Sequence, residues 1–270
     1  MNLNYVSRFG LEFNPFIKNS KEIYFESEDS KELTYRLKYL EGIKGFGLIT
    51  GNPGIGKTSI VRKWAKDLNP SLFKVIYIPL STLTVLEFYR SLAIEFGIEP
   101  YARKNQNYKA IQESINRLAL EKKITPVIIL DEANHLISSI LHDLKMLFNF
   151  DMDSRDRAIV LFIGLPTMNN TLNLTANEAL RQRIVMNYHL EYYSKAQTKD
   201  YIISKLKAAG GSSQILDDSS FEAIANYSNG LPRVINKIIN ASLLLTHSLK
   251  LDTISNDIIM KAINDISLGG

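Results

Sequence analysis

The sequence has no cysteine and a single tryptophan in 270 residues. Without thiols there is no disulfide framework and no thiolate metal site. Long apolar runs are missing too: the longest, Ala158 to Leu165, falls far short of the roughly 18 residues a membrane-spanning helix needs. The start, Met-Asn-Leu-Asn-Tyr-Val-Ser-Arg, lacks the charged-then-apolar pattern of a secretory leader. There is no internal repeat and no low-complexity stretch. A strong charge of either sign is absent as well, with 32 Lys+Arg against 28 Asp+Glu and a net charge of +4. A field this weak does not draw nucleic acid by itself, so any DNA contact has to come from a local patch. These absences lead us to expect a cytoplasmic protein without membrane contact. The composition, 45% hydrophobic and 22% charged, suits one large domain or a core with a small second one.

What the chain does have is a glycine-rich turn. Gly51 to Thr58 reads Gly-Asn-Pro-Gly-Ile-Gly-Lys-Thr, the phosphate-loop pattern of glycine, four free positions, then Gly-Lys-[Ser/Thr]. The glycines let backbone amides turn inward to cradle phosphate oxygens. Lys57 can reach the β- and γ-phosphates, and the Thr58 hydroxyl can hold Mg²⁺. Phe46 to Thr50 before the loop reads as a buried strand. Lys57 to Leu68 after it reads as a helix with Ile60, Val61, Trp64 and Leu68 on one side. A strand, a loop and a helix N-terminus form the context this motif requires. The expected nucleotide-binding set is Gly51, Asn52, Pro53, Gly54, Ile55, Gly56, Lys57, Thr58 and Ser59.

Short apolar runs alternate with amphipathic stretches along most of the chain. Lys74 to Pro79, Pro126 to Leu130, Ala158 to Ile163 and Ile184 to Leu190 read as further strands. Unbroken apolar runs point to strands covered on both faces, hence a parallel sheet in a doubly wound α/β domain. Helices are expected over Ser30 to Glu41, Thr84 to Phe96, Tyr108 to Lys123 and His135 to Phe148. From Ser194 onward the pattern is helical only, over roughly Ser194 to Ala209, Asp218 to Ser228, Pro232 to Thr246 and Ile254 to Ile266. We therefore expect an N-terminal segment plus α/β core over 1–192 and a helical subdomain over 193–270.

The third strand ends in Asp131-Glu132. An acidic residue at the carboxyl end of a core strand stands where open α/β sheets bind ligands. Asp131 would hold Mg²⁺ directly or through water, and Glu132 would polarise a water attacking the γ-phosphate. The other reading is a pair of acids capping the helix near His135. An acid placed to activate water favours hydrolysis over transfer to a second substrate. Arg181 and Arg183, just before the fifth strand, can stabilise phosphoryl-transfer charge, or simply line a solvated helix face. Arg233 opens a C-terminal helix, where it either reports on a nucleotide or makes a surface ion pair.

Taken in order, these pieces resemble the AAA+ ATPases, in the branch that holds ExeA-type ATPases and the transposition regulators TniB, TnsC and MuB. The matching residues are Phe9-Gly10-Leu11, Asn14-Pro15-Phe16, the phosphate loop, the Asp131-Glu132 strand, Phe162-Ile163-Gly164-Leu165-Pro166, Leu180-Arg181-Gln182-Arg183 and Gly230-Leu231-Pro232-Arg233 with Ile235-Asn236. They cover almost the whole chain. The resemblance implies an AAA+ P-loop NTPase fold with a five-stranded parallel sheet and a helical lid, using ATP and Mg²⁺. It implies that Arg183 acts on a neighbour's ATP, with Arg181 the second choice, that Arg233 is the lid arginine called sensor 2, and that Phe16 lies near the adenine. The family places a polar side chain after its fourth strand. Here Leu165 stands there, with Thr167 a possible substitute, so hydrolysis is expected to be slow, as suits a switch.

ExeA-type proteins carry membrane and cell-wall-binding regions after the ATPase, and none follows here. That turns the expectation towards the transposition helpers: a homo-oligomeric ring or filament, on double-stranded DNA without strong sequence preference, directing a transposase. The basic cluster Arg103, Lys104 and Lys109 beside Tyr101 and Tyr108 can contact phosphates, although an ordinary solvated surface reads the same way. No base-reading module is evident. The alternative is an ATP-driven switch or scaffold of a protein complex without DNA.

Overall fold

The computed structural model describes residues 5–79 and 83–267, without the side chain of Asp153. In chain order the elements are α1 (Tyr5–Arg8), α2 (Glu28–Ile43), β1 (Gly45–Gly51), α3 (Lys57–Asp67), β2 (Phe73–Pro79), α4 (Val85–Phe96), α5 (Lys104–Asn116), β3 (Thr125–Asp131), α6 (Ser138–Leu147), β4 (Ile159–Gly164), α7 (Thr167–Asn173), α8 (Glu178–Arg181), β5 (Ile184–Leu190), α9 (Lys195–Ala208), α10 (Asp218–Ser228), α11 (Pro232–Ser248) and α12 (Asn256–Ser267). The chain divides into two compact units, one of residues 31–53 and 57–190, the other of residues 1–30, 54–56 and 191–270.

The first unit is built on a five-stranded sheet in the order β2-β3-β4-β1-β5. Every pairing is parallel. β1, β3 and β4 are buried along their whole length, because apolar residues stand at odd and even positions alike. One face of the sheet, with Phe46, Leu48, Ile76, Ile128, Leu130 and Phe162, packs against Phe88, Leu92, Ile111, Leu141 and Leu144 from α4, α5 and α6. The other face meets α2 and α3. A side chain at Gly47 would collide with Leu40 of α2, and Ala65 of α3 lines a cavity of about 370 Å³ with Ile129 and Ile163. Trp64 anchors α3 there, its indole N–H donating to Glu41 at 2.7 Å.

Local chemistry sets the helix ends. Thr84 and Glu87 form a reciprocal capping box at the start of α4, which closes on Gly97 in the left-handed conformation. Ser194 and Gln197 do the same for α9. Two expected boundaries move. α5 starts at Lys104 instead of Tyr108 and runs into a π-turn over Arg117–Glu121. α6 starts at Ser138, because a 3₁₀ turn over Ala133–His135 first carries the chain away from the acidic pair.

The second unit packs α9 to α12 around Ile202, Leu206, Ile224, Ile235, Ile238 and Ile259. The N-terminal stretch belongs to it. The sequence reading groups the N-terminal segment with the α/β core over 1–192, whereas Phe9, Leu11 and Phe16 are buried among the C-terminal helices. The aromatic content of this stretch signals burial, yet periodicity does not say in which core. Asn14 fixes it there, donating to Tyr5 Oη at 2.8 Å and to Asn240 of α11 at 2.7 Å.

Candidate nucleotide site

The phosphate loop leaves the carboxyl end of β1 and delivers Lys57 and Thr58 into the first turn of α3. Gly54 and Gly56 adopt φ values of 84° and 110°, which a side chain would strain. A Cβ at Gly54 would lie 2.6 Å from that of Arg233, so only glycine fits there. Arg233 also donates its backbone N–H to Gly54 O at 3.3 Å, while its side chain is exposed. Gly54 and Arg233 both belong to the helical unit. Ile55 is buried, whereas Pro53 and Ser59 are exposed. Lys57 folds back into its own loop, donating to Gly51 O at 2.7 Å and to Asn52 O at 3.2 Å.

β1 and β3 are separated by β4, yet α3, which follows β1, reaches the end of β3. Thr58 Oγ1 donates to Asp131 Oδ2 at 3.0 Å. The same oxygen accepts from Tyr77 Oη at 2.9 Å, and Oδ1 accepts from the Glu132 backbone N–H at 2.9 Å. Burial and then the bond to Asp131 push the Tyr77 phenol up to about 12, so it remains a donor at neutral pH. A hydroxyl and a carboxylate at this separation are hard oxygen ligands, the donor type Mg²⁺ takes. Glu132 is exposed and adopts φ 58° and ψ 39°, a left-handed conformation that is uncommon for a glutamate and typical of strained functional positions.

Asn134 occupies the gap at the end of β4. Its Oδ1 accepts from the Leu165 backbone N–H at 3.0 Å and lies 3.1 Å from where a Gly164 side chain would be. The loop that follows the acidic pair is thus tied to the position where Leu165 lacks a polar side chain. Thr167 is exposed at the start of α7.

The arginines take different places. Arg183 turns inward: its guanidinium donates to Lys145 O at 2.8 Å and Phe148 O at 3.0 Å, and lies 5.1 Å from the Phe46 ring centroid. It therefore caps the carboxyl end of α6 within its own chain. Arg181 is exposed at the end of α8, with one bond to Asn173 at 3.1 Å. Phe16 is a core residue, 5% exposed, with the Lys205 ammonium 5.5 Å from its ring centroid. That ammonium donates to Pro15 O at 2.8 Å, and burial lowers the lysine to about 8. Lys104 is paired with Asp143 at 2.6 Å, while Arg103 and Lys109 are exposed.

Sequence reading missed Tyr77 and Asn134. Tyr77 stands on an edge strand, in register with Ile129 and not with Asp131, so its phenol has to reach two residues along its neighbour. The only signal for Asn134 is a polar residue close behind an acidic pair.

Residues 41–172 match the family described as AAA domain. The chain carries an AAA domain. It is 30% identical over 247 residues to general secretion pathway protein A of Aeromonas hydrophila, covering 89% of this chain and 44% of that protein. It is 23% identical over 251 residues to the ATP-dependent target DNA activator B of Escherichia phage Mu, covering 91% of this chain and 74% of that protein. Both are relatives in the AAA+ branch whose motifs this sequence resembles. The chain spans less than half the length of the secretion protein. Among solved structures, Cdc6p of Pyrobaculum aerophilum superposes with a TM-score of 0.71 at 17% identity, covering 92% of this chain and 69% of that one. That likeness is one of fold, the AAA+ P-loop NTPase fold, and nucleotide binding follows from the family. No helix among the described residues is long and apolar enough to cross a membrane.

Proposed function

We propose that this AAA+ protein hydrolyses ATP slowly and uses the nucleotide state to assemble on double-stranded DNA, in support of a transposase. The observation that carries the ATPase reading is the Thr58–Asp131 hydrogen bond of 3.0 Å, which brings the phosphate loop and the acidic strand into one site. Thr58 and Asp131 would hold Mg²⁺, which when bound neutralises charge on the phosphates. Lys57 exchanges its loop carbonyls for phosphate oxygens. Glu132, exposed beside the site, accepts a proton from the water whose oxygen attacks the γ-phosphorus, as the bond to the bridging oxygen breaks. Arg181, exposed and lightly held, is the better candidate to act on a neighbouring copy's nucleotide, because Arg183 is committed to α6. Arg233, beside Gly54, is the sensor candidate.

The DNA reading is supported by the likeness to a target DNA activator and by the exposure of Arg103 and Lys109, while Lys104 is already neutralised by Asp143. Its test is ATPase activity with and without duplex DNA across a salt series, joined to electron microscopy with a non-hydrolysable ATP analogue. Salt-sensitive stimulation and ordered assemblies on DNA are expected; neither appearing defeats the DNA reading. The second reading is an ATP-driven switch of a protein complex, favoured by the higher identity to the secretion protein. It predicts nucleotide-dependent assembly with no response to DNA.

A further inference from the structure

Three donors hold the carboxylate of Asp131. The backbone N–H of Glu132 fixes Oδ1, and the hydroxyls of Thr58 and Tyr77 both point at Oδ2. Thr58 and Glu132 are tied to the site by the sequence itself. Tyr77 is not: it reaches in from the edge strand, and its ring lines the 370 Å³ cavity with Val61, Ala65, Val75, Ile129 and Ile163.

We propose that Tyr77 is a positioning residue for Asp131, setting the carboxylate orientation from which this chain engages a divalent cation bound with the nucleotide. The inference rests on the reading of Thr58 and Asp131 as the metal-holding pair. A carboxylate held at only one oxygen can rotate about its last bond, and ordering it then opposes ion binding. With Oδ1 on a backbone amide and Oδ2 on two hydroxyls, that ordering is already done. Thr58 is the donor whose oxygen is also wanted by the cation, so Tyr77 is the one that keeps Oδ2 in place when the ion arrives. Partners that orient a metal-holding carboxylate typically change metal affinity about 10- to 100-fold when removed. Tyr77 is 43% exposed, so water can partly replace its hydroxyl and the lower end of that range applies.

The test is equilibrium binding of a fluorescent ATP analogue to the full chain, with Mg²⁺ titrated and with EDTA as the metal-free arm. Tyr77→Phe should raise the Mg²⁺ midpoint about 10-fold and leave binding in EDTA unchanged. Val75→Ala, which opens the same cavity wall without touching Asp131, should leave the midpoint where it is. An unchanged midpoint in folded Tyr77→Phe, or an equal shift in Val75→Ala, overturns the proposal. A Tyr77→Phe chain that fails to fold does so too, by marking the hydroxyl as structural. If the wild-type chain binds the analogue equally well with Mg²⁺ and with EDTA, the metal-holding reading of Thr58 and Asp131 fails first, and the role of Tyr77 goes with it.

Discussion

The Arg183 guanidinium donates to the main-chain carbonyl of Phe148 at 3.0 Å, closing the carboxyl end of α6. A second bond to Lys145 O, the face of Phe46 and an ion pair with Asp156 at 3.5 Å add to its surroundings. Arg183→Ala should therefore act on stability. Losing charge-assisted bonds to two carbonyls should destabilise by about 2 kcal/mol, or roughly 4–8 °C in melting temperature. Arg181→Ala should melt like the wild type and lower ATP turnover about 10³-fold if it acts on a neighbour's nucleotide. Melting curves and turnover measured at several protein concentrations separate the two. The reverse pattern would return the finger role to Arg183.

The phosphate loop and the acidic pair were legible in the sequence because each is a local pattern with its own chemistry. The sheet was legible because buried parallel strands leave unbroken apolar runs such as Val127 to Leu130. What could not be read is which distant groups meet. Tyr77 stands 54 residues before Asp131, and nothing in its neighbours marks it as anything but a strand residue. Arg183 reads as a surface cation until the end of α6 is seen beneath it. Phe9, Leu11 and Phe16 declare that they are buried and leave open which core receives them.

Lys57 and Glu132 should part binding from hydrolysis. Lys57→Ala removes the one ammonium inside the loop and should abolish nucleotide binding in a filter or fluorescence assay. Glu132→Gln should bind ATP normally and stop turnover, trapping any assembled state. Glu132→Asn should also lose turnover but melt no lower than the wild type, because asparagine accepts the left-handed conformation more readily than glutamate. A wild-type rate in either glutamate variant removes it from the chemistry.

Gly164→Ala should displace Asn134. The added methyl would lie 3.1 Å from its Oδ1 and 3.2 Å from its backbone nitrogen. The bond to Leu165 N–H should break, and the loop carrying Glu132 should shift with it. Slower hydrolysis with nucleotide affinity retained is the expected result, and Asn134→Ala should reproduce it. If turnover survives both changes, the Asn134 link has no part in catalysis.

Lys205 should make stability rise with alkaline pH. Burial lowers its pKa from 10.5 in the unfolded chain to about 8 in the folded one. Between these values the unfolded state binds more protons than the folded state, so unfolding free energy increases as pH rises from about 8 towards 10.5. Below that window the burial penalty on the ammonium is fully present; above it the penalty is gone. Urea melts at several pH values should show this rise in the wild type and lack it in Lys205→Met. Parallel curves for the two chains would mean that Lys205 stays protonated in its aromatic surroundings.

The strand order has a consequence for the moment at which this protein becomes competent during its synthesis. β1, which carries the phosphate loop, pairs with Ile159–Gly164 on one side and Ile184–Leu190 on the other. Both neighbours are made more than a hundred residues after it. At about 5–20 residues per second, the loop waits on the order of 10 s before either flank exists to hold it. A nascent chain cannot capture nucleotide as soon as its glycines emerge. Only when β5 arrives does the strand that carries the loop have both of its partners.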